Sequence, residues 1–165
     1  MLRTSINRFV QILKMSGIAK TYDFLVIGGG SGGIASARRA REFGVSVGLI
    51  EPSRLGGTCV NVGCVPKKVM YNCSLHAEFI RDHVDYGFDV EMKKFNWKTI
   101  KENRDAYVRR LNSIYQKNLE QSGVELIRGK AKFQSDGSVD VGGKLYRGKH
   151  VLIAVGGCPN KPKDV

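Results

Sequence analysis

Between Tyr22 and Ile27 the chain is apolar but for Asp23, and it breaks at once into the glycine run GGGSGG of residues 28–33. A short apolar run closed by a turn signal predicts a buried strand. Small, apolar and basic residues then follow to Gly44, which predicts a helix that begins near Ser31 and stops by that glycine. Residues 45–50 read as a second buried strand ending at Glu51. Pro66 suits an early position in a further helix over 67–80. Ile100, Tyr107, Val108, Leu111, Ile114 and Leu119 recur at amphipathic spacing and predict a long helix from Trp97 to Gln121. Residues 124–128 read as a third parallel strand. Short segments at 130–134, 138–141, 144–146 and 150–155 read as strands, with turns at Asp136-Gly137 and Gly142-Gly143. The alternation predicts an α/β fold.

Composition narrows this only a little. A chain of 165 residues, 42% hydrophobic and 25% charged, is long enough for a real core and is not disordered. No apolar run approaches the roughly 20 residues that span a bilayer, so no membrane partner is expected. The net charge of +12 is spread along the chain, and no basic helix carries interleaved aromatics. A nucleic-acid partner is therefore not expected either. Residues 1–20 differ from the rest: Arg3, Arg8, Lys14 and Lys20 have no acidic neighbour, and Leu2, Ile6, Phe9, Val10 and Leu13 recur at helical spacing. This segment reads as a mitochondrial presequence ahead of a domain at 21–165. Met15 offers a second start, so mitochondrial and cytosolic forms are both expected. Neither compartment favours structural disulfides.

Candidate chemistry begins at the first glycines. Gly28, Gly30 and Gly33 spell GxGxxG between strand and helix, and Glu51 stands 18 positions past Gly33. In that pattern the first glycine makes the tight turn, the second lets backbone approach a pyrophosphate, and the third lets helix and strand pack closely. Unpaired amides at the helix start attract the phosphates, and the acid accepts hydrogen bonds from a ribose. A dinucleotide site follows, and the motif leaves NAD and FAD equally open.

GGTCVNVGCVPKK, residues 56–68, places two of the four cysteines five apart. In a regular helix residues at that spacing hold their Cα atoms roughly 8.7 Å apart, whereas a disulfide needs less than about 7 Å. If Cys59 and Cys64 bond, the four residues between them cannot be regular helix, and Asn61 with Gly63 supplies the irregular backbone. Cys64 falls at a helix N-terminus with Lys67 and Lys68 close by, which favours a thiolate. Zinc is the rival reading, but its CxxC spacing and second ligand pair are missing, so no metal is expected.

Taken with GGGSGGIASARRA, this redox motif resembles the N-terminal FAD region of the flavin-dependent disulfide reductases, the class I pyridine nucleotide-disulfide oxidoreductases, and within them the glutathione-reducing type. The resemblance runs from about Tyr22 to the end of the chain. It implies a Rossmann-like FAD-binding domain, a parallel sheet with helices plus a small antiparallel meander, with Cys59 and Cys64 as the redox disulfide. Cys64 is then the flavin-proximal sulfur that forms the charge-transfer thiolate, and Cys59 attacks the substrate. Gly28, Gly30, Ser31, Gly32, Gly33, Glu51, Gly57, Thr58, Cys59, Lys67, Ala131 and Gly156 are the implied FAD residues. Val155 stands where the family usually carries a hydroxyl residue.

The same resemblance implies glutathione disulfide as substrate, with Ser31, Arg38 and Tyr115 touching it. Arg38 also reads as part of a solvated helix face, and Tyr115 as a core residue of the long helix. Thioredoxin- and lipoamide-type reductases are the alternatives within the family. No second nucleotide motif for NADPH, no dimerisation domain and no acid catalyst follow before Val165. The expectation is therefore the N-terminal part of a homodimeric NADPH-dependent enzyme, truncated and inactive alone, or a non-catalytic flavin-binding fragment.

Overall fold

The computed structural model describes residues 17–162. Most of the presequence-like segment, residues 1–16, lies outside the described residues, but its end does not. Strand β1 spans Ile18–Ile27, four residues longer than its apolar run. Ile18, Lys20 and Thr21 pair with Leu145, Tyr146 and Arg147, and Lys20 forms an ion pair with Glu125. Strand pairing therefore reaches ahead of residue 21, because a polar strand end needs only ladder partners, not burial.

β1 leads into α1 (Ser31–Arg41), β2 (Val47–Glu51), the single-turn α2 (Gly57–Asn61) and α3 (Cys64–Asp82). A 3₁₀ turn at His83–Tyr86 and a segment without regular structure follow, then α4 (Trp97–Gln121), whose bounds match the amphipathic pattern. Asn96 starts α4 by accepting bonds from the amides of Lys98 at 2.9 Å and Thr99 at 3.4 Å. The chain closes with β3 (Glu125–Arg128), β4 (Ala131–Phe133), β5 (Val139–Val141) and β6 (Lys144–Ile153).

One six-stranded sheet results, in the order β3-β2-β1-β6-β5-β4. β3, β2, β1 and β6 run parallel, while β4, β5 and the start of β6 form the antiparallel meander. Two separate strands were expected at 144–146 and 150–155; they are one. Arg147-Gly148-Lys149 does not turn, because Gly148 lies against β1 and a Cβ there would stand 2.6 Å from that of Leu25. Glycine at this point lets β6 stay in register along its whole neighbour.

Alternation along β1 and β2 sends side chains to two cores. Val26, Val47 and Leu49 pack with Ile34 and Ala37 of α1 and Leu119 of α4, while Tyr22, Leu25, Ile27 and Ile50 pack with Val139 and Val141 of β5. Asp23, the interruption in the apolar run, accepts from the Ser46 amide at 2.8 Å and hydroxyl at 2.6 Å and pairs with Lys149 at 2.8 Å. Lys149 first, then Ser46, holds its carboxyl well below the usual carboxylate range. The charge thus laces β1 to the start of β2 and to β6. α3 has no buried residue along its length, and Tyr71, Phe79, Val84, Tyr86, Phe88 and Trp97 are exposed.

Candidate functional site

β1, β2 and β6 end at one level, and the loops that leave them enclose a cavity of about 750 Å³. This is the size of a cofactor site, about 300–1,000 Å³, at the carboxyl ends of parallel strands. Gly28, Gly30, Ser31 and Gly32 form one wall, Glu51 and Gly57 to Cys59 another, and Ala131 and Gly156 a third. Segments far apart in sequence thus meet around one space. Gly33 and Lys67 are the implied FAD residues outside these walls.

Each glycine has a different task. Gly28 has φ +114 and sits against the backbone of Ala154 and Val155, where a side chain could not fit. Gly33 is buried, and a methyl there would collide with the Gly28 carbonyl oxygen. Gly30 is different: its φ of −85 suits any residue, and an added Cβ would meet only the Cα of Gly57, at 3.6 Å. Its missing side chain therefore serves the cavity. No side chain caps α1, and its first turn holds no acid. The amides at that turn are left for a ligand, with the helix dipole favouring an anion.

Glu51 does more than the spacing implied. One carboxylate oxygen accepts from the Gly29 amide at 2.6 Å and the other from the Ser53 amide at 2.8 Å. Both oxygens keep a lone pair for a further donor, so the side chain arrives pre-oriented at the cavity wall. Arg54, Asn61 and Lys130 also line the cavity and were missed in the sequence. Arg54 follows closely on the strand-ending Glu51 and Lys130 on β3, and that placement was the available signal. Val155, the departure from the family pattern, is in the wall as well.

The cysteines stand beside this space. Cys59 is in α2, half-buried and in the cavity wall; Cys64 opens α3 and is exposed. Helix breaks between them at Val62, with φ −143, and Gly63, with φ −119 and ψ −114. The irregular backbone expected for a bondable pair is present, although both are held here as free thiols. They interact nonetheless: a hydrogen bond with Cys64 and then burial push the Cys59 thiol up, with Lys67 pulling the other way. Cys64→Ala removes the leading cause, so the pH profile of Cys59 alkylation, followed by peptide mass spectrometry, shifts to lower pH. An unmoved profile would mean that burial alone sets it.

The implied substrate residues are dispersed. Ser31 is in the cavity wall, but Arg38 and Tyr115 are not. Arg38 is exposed on α1 and donates from Nε to the Ser122 hydroxyl at 3.1 Å, a bond that joins α1 to the end of α4. Tyr115 is half-buried against the α1–α4 core, as its helical spacing allowed.

Residues 22–165 match the family model described as pyridine nucleotide-disulphide oxidoreductase. The glutathione reductase of Yarrowia lipolytica is 52% identical over 155 residues, covering 86% of this chain and 33% of that protein. The glutathione reductase of Schizosaccharomyces pombe is 48% identical over 159 residues, 92% of this chain and 34% of the relative. The chain spans about a third of the length of the curated relatives it matches.

Proposed function

Since the chain belongs to the pyridine nucleotide-disulphide oxidoreductases, we propose that it is the FAD-binding part of an NADPH-dependent enzyme that reduces glutathione disulfide. The observation that carries this is a shared wall: the glycine turn after β1 and Cys59 face the same cavity. The residues suit the cofactor, with bare amides and Gly30 for a diphosphate, Glu51 for ribose hydroxyls and a cavity of fitting size. Bound flavin supplies two-electron exchange between a nicotinamide and a disulfide. The chain's own part is sulfur chemistry. The Cys59 thiolate attacks one sulfur of glutathione disulfide and releases the first glutathione. Cys64 then attacks Cys59 in the mixed disulfide and releases the second, leaving a Cys59–Cys64 bond. Arg38, with Nε held by Ser122, turns its terminal nitrogens to a glutathione carboxylate. A homodimer is proposed for the whole protein, and the basic residues 1–20 support mitochondrial targeting beside a cytosolic form starting at Met15.

The full-length protein is expected to purify yellow and to oxidise NADPH when glutathione disulfide is added. Arg38→Leu should raise KM for that substrate about tenfold, the value of one charge-assisted contact, with kcat nearly unchanged. A colourless, folded protein, or equal rates on a cationic disulfide, would overturn the reading.

A further inference from the structure

Asn61 lies between the two cysteines and ends α2, and its side chain is not free. Its Nδ2 donates to the carbonyls of Gly57 at 2.9 Å and Leu55 at 3.1 Å. From the middle of α4, Asn112 reaches the same point: its Nδ2 donates to Leu55 O at 2.8 Å and to Asn61 Oδ1 at 3.0 Å. Leu55 is itself fixed, fully buried in the α1–α4 core. Asn61 thus braces the cysteine-bearing turn from within by two bonds, and Asn112 ties that turn to α4 by two more.

The tie bears on whether two sulfurs can meet. Were α2 to run on through Val62 and Gly63 into α3, residues 59 and 64 would sit at regular helical spacing. Their Cα atoms would then be roughly 8.7 Å apart, beyond the reach of a disulfide at about 7 Å. Val62 and Gly63 instead leave helical geometry, so α2 does not run on into α3. Val60 also anchors α2, buried beside Gly56, but past it Val62 is exposed and α3 buries no residue.

We infer that Asn112 is a positioning residue for the sulfur pair: through Asn61 it holds Cys59 where Cys64 can bond it, and so biases the couple toward the disulfide. This rests on the proposed role of the pair in disulfide exchange. The equilibrium concerned is that of two cysteine thiols and one glutathione disulfide with the Cys59–Cys64 disulfide and two molecules of glutathione. Electrons leave the cysteine sulfurs for those of glutathione, and two protons move with them. The disulfide needs the bent turn and the dithiol does not, so loosening the turn stabilises only the reduced side.

The test equilibrates the full-length protein in glutathione redox buffers, quenches with acid, alkylates, and reads the 59–64 peptide by mass spectrometry. Asn112→Asp keeps the shape but loses both donors, and Asn112→Ala removes the amide and its two bonds. Each should lower the equilibrium constant for disulfide formation about tenfold, a rise of about 30 mV in potential. Asn61→Ala should give the same shift, and adding Asn112→Ala to it little more, since the two act as one unit. Gln116→Ala, on the exposed side of α4, should leave the constant unchanged. Equal constants in wild type, Asn61→Ala and the Asn112 variants, with helical spectra intact, would overturn the inference. A wild type that forms no Cys59–Cys64 disulfide in any buffer would instead overturn the functional reading.

Discussion

Serine in place of Cys59 or Cys64 is expected to lower NADPH-dependent reduction of glutathione disulfide by at least about three orders of magnitude, because a hydroxyl is no nucleophile toward a disulfide at neutral pH. The two variants should fail differently. Cys64→Ser keeps the attacking sulfur in the cavity wall but lacks the partner that resolves the mixed disulfide, so glutathione accumulates on Cys59. Intact-mass spectrometry reads that adduct directly. Cys59→Ser leaves an exposed thiol at the start of α3, which alkylating agents reach readily, and no adduct forms at residue 59. Flavin content should stay at the wild-type level in both, since the glycine turn and Glu51 are untouched. Turnover within tenfold of wild type in either variant would remove the pair from the reaction.

A second large effect separates two glycines three residues apart. Gly33→Ala sets a methyl against the Gly28 carbonyl oxygen, where only backbone could yield. α1 must then lift from β1, at a cost of about 1–3 kcal/mol or more, and melting temperature and bound flavin should fall together. Gly30→Val adds bulk to a residue of the cavity wall, at a φ any residue adopts, and its Cβ meets nothing nearer than the Gly57 Cα at 3.6 Å. Apoprotein stability should hardly change while flavin retention is lost. Thermal denaturation of the apoproteins and flavin absorbance after purification check both. Flavin retained by Gly30→Val would place the diphosphate elsewhere.

These glycines also show what the sequence could disclose. The turn after β1, the acid ending β2 and the long helix over 97–121 each depend on local signals, a glycine triplet, one carboxylate and an amphipathic stripe, and all three were legible. So was the break between the cysteines, which followed from helix geometry once the two were taken to bond. The start of β1 at Ile18 was hidden because Lys20 and Thr21 resemble the basic segment before them, and what orders them is a ladder to β6 more than a hundred residues away. The union of 144–146 with 150–155 escaped for a similar reason: Gly148 reads locally as a break, and only its contact with Leu25 explains it. Asn61 was legible only as part of the irregular backbone and Asn112 not at all, since a bond across 51 positions leaves no periodic trace. Arg38 and Tyr115 owe their assignment to resemblance; the bond to Ser122 and the packing against the core are what this chain adds.

The pairing of β1 with β6 governs how the molecule can be made. Ile27 aligns with Ile153, so the central ladder of the sheet joins residues 126 positions apart in the chain. A ribosome adding about 5–20 residues per second leaves the apolar end of β1 without its neighbour for on the order of ten seconds. During that interval Leu25 to Ile27 form an unpaired sticky edge, and the nucleotide loop beside them lacks the wall at Gly156. A nascent chain stalled before Ile153 is consequently expected to lack the complete cofactor wall and to retain no flavin.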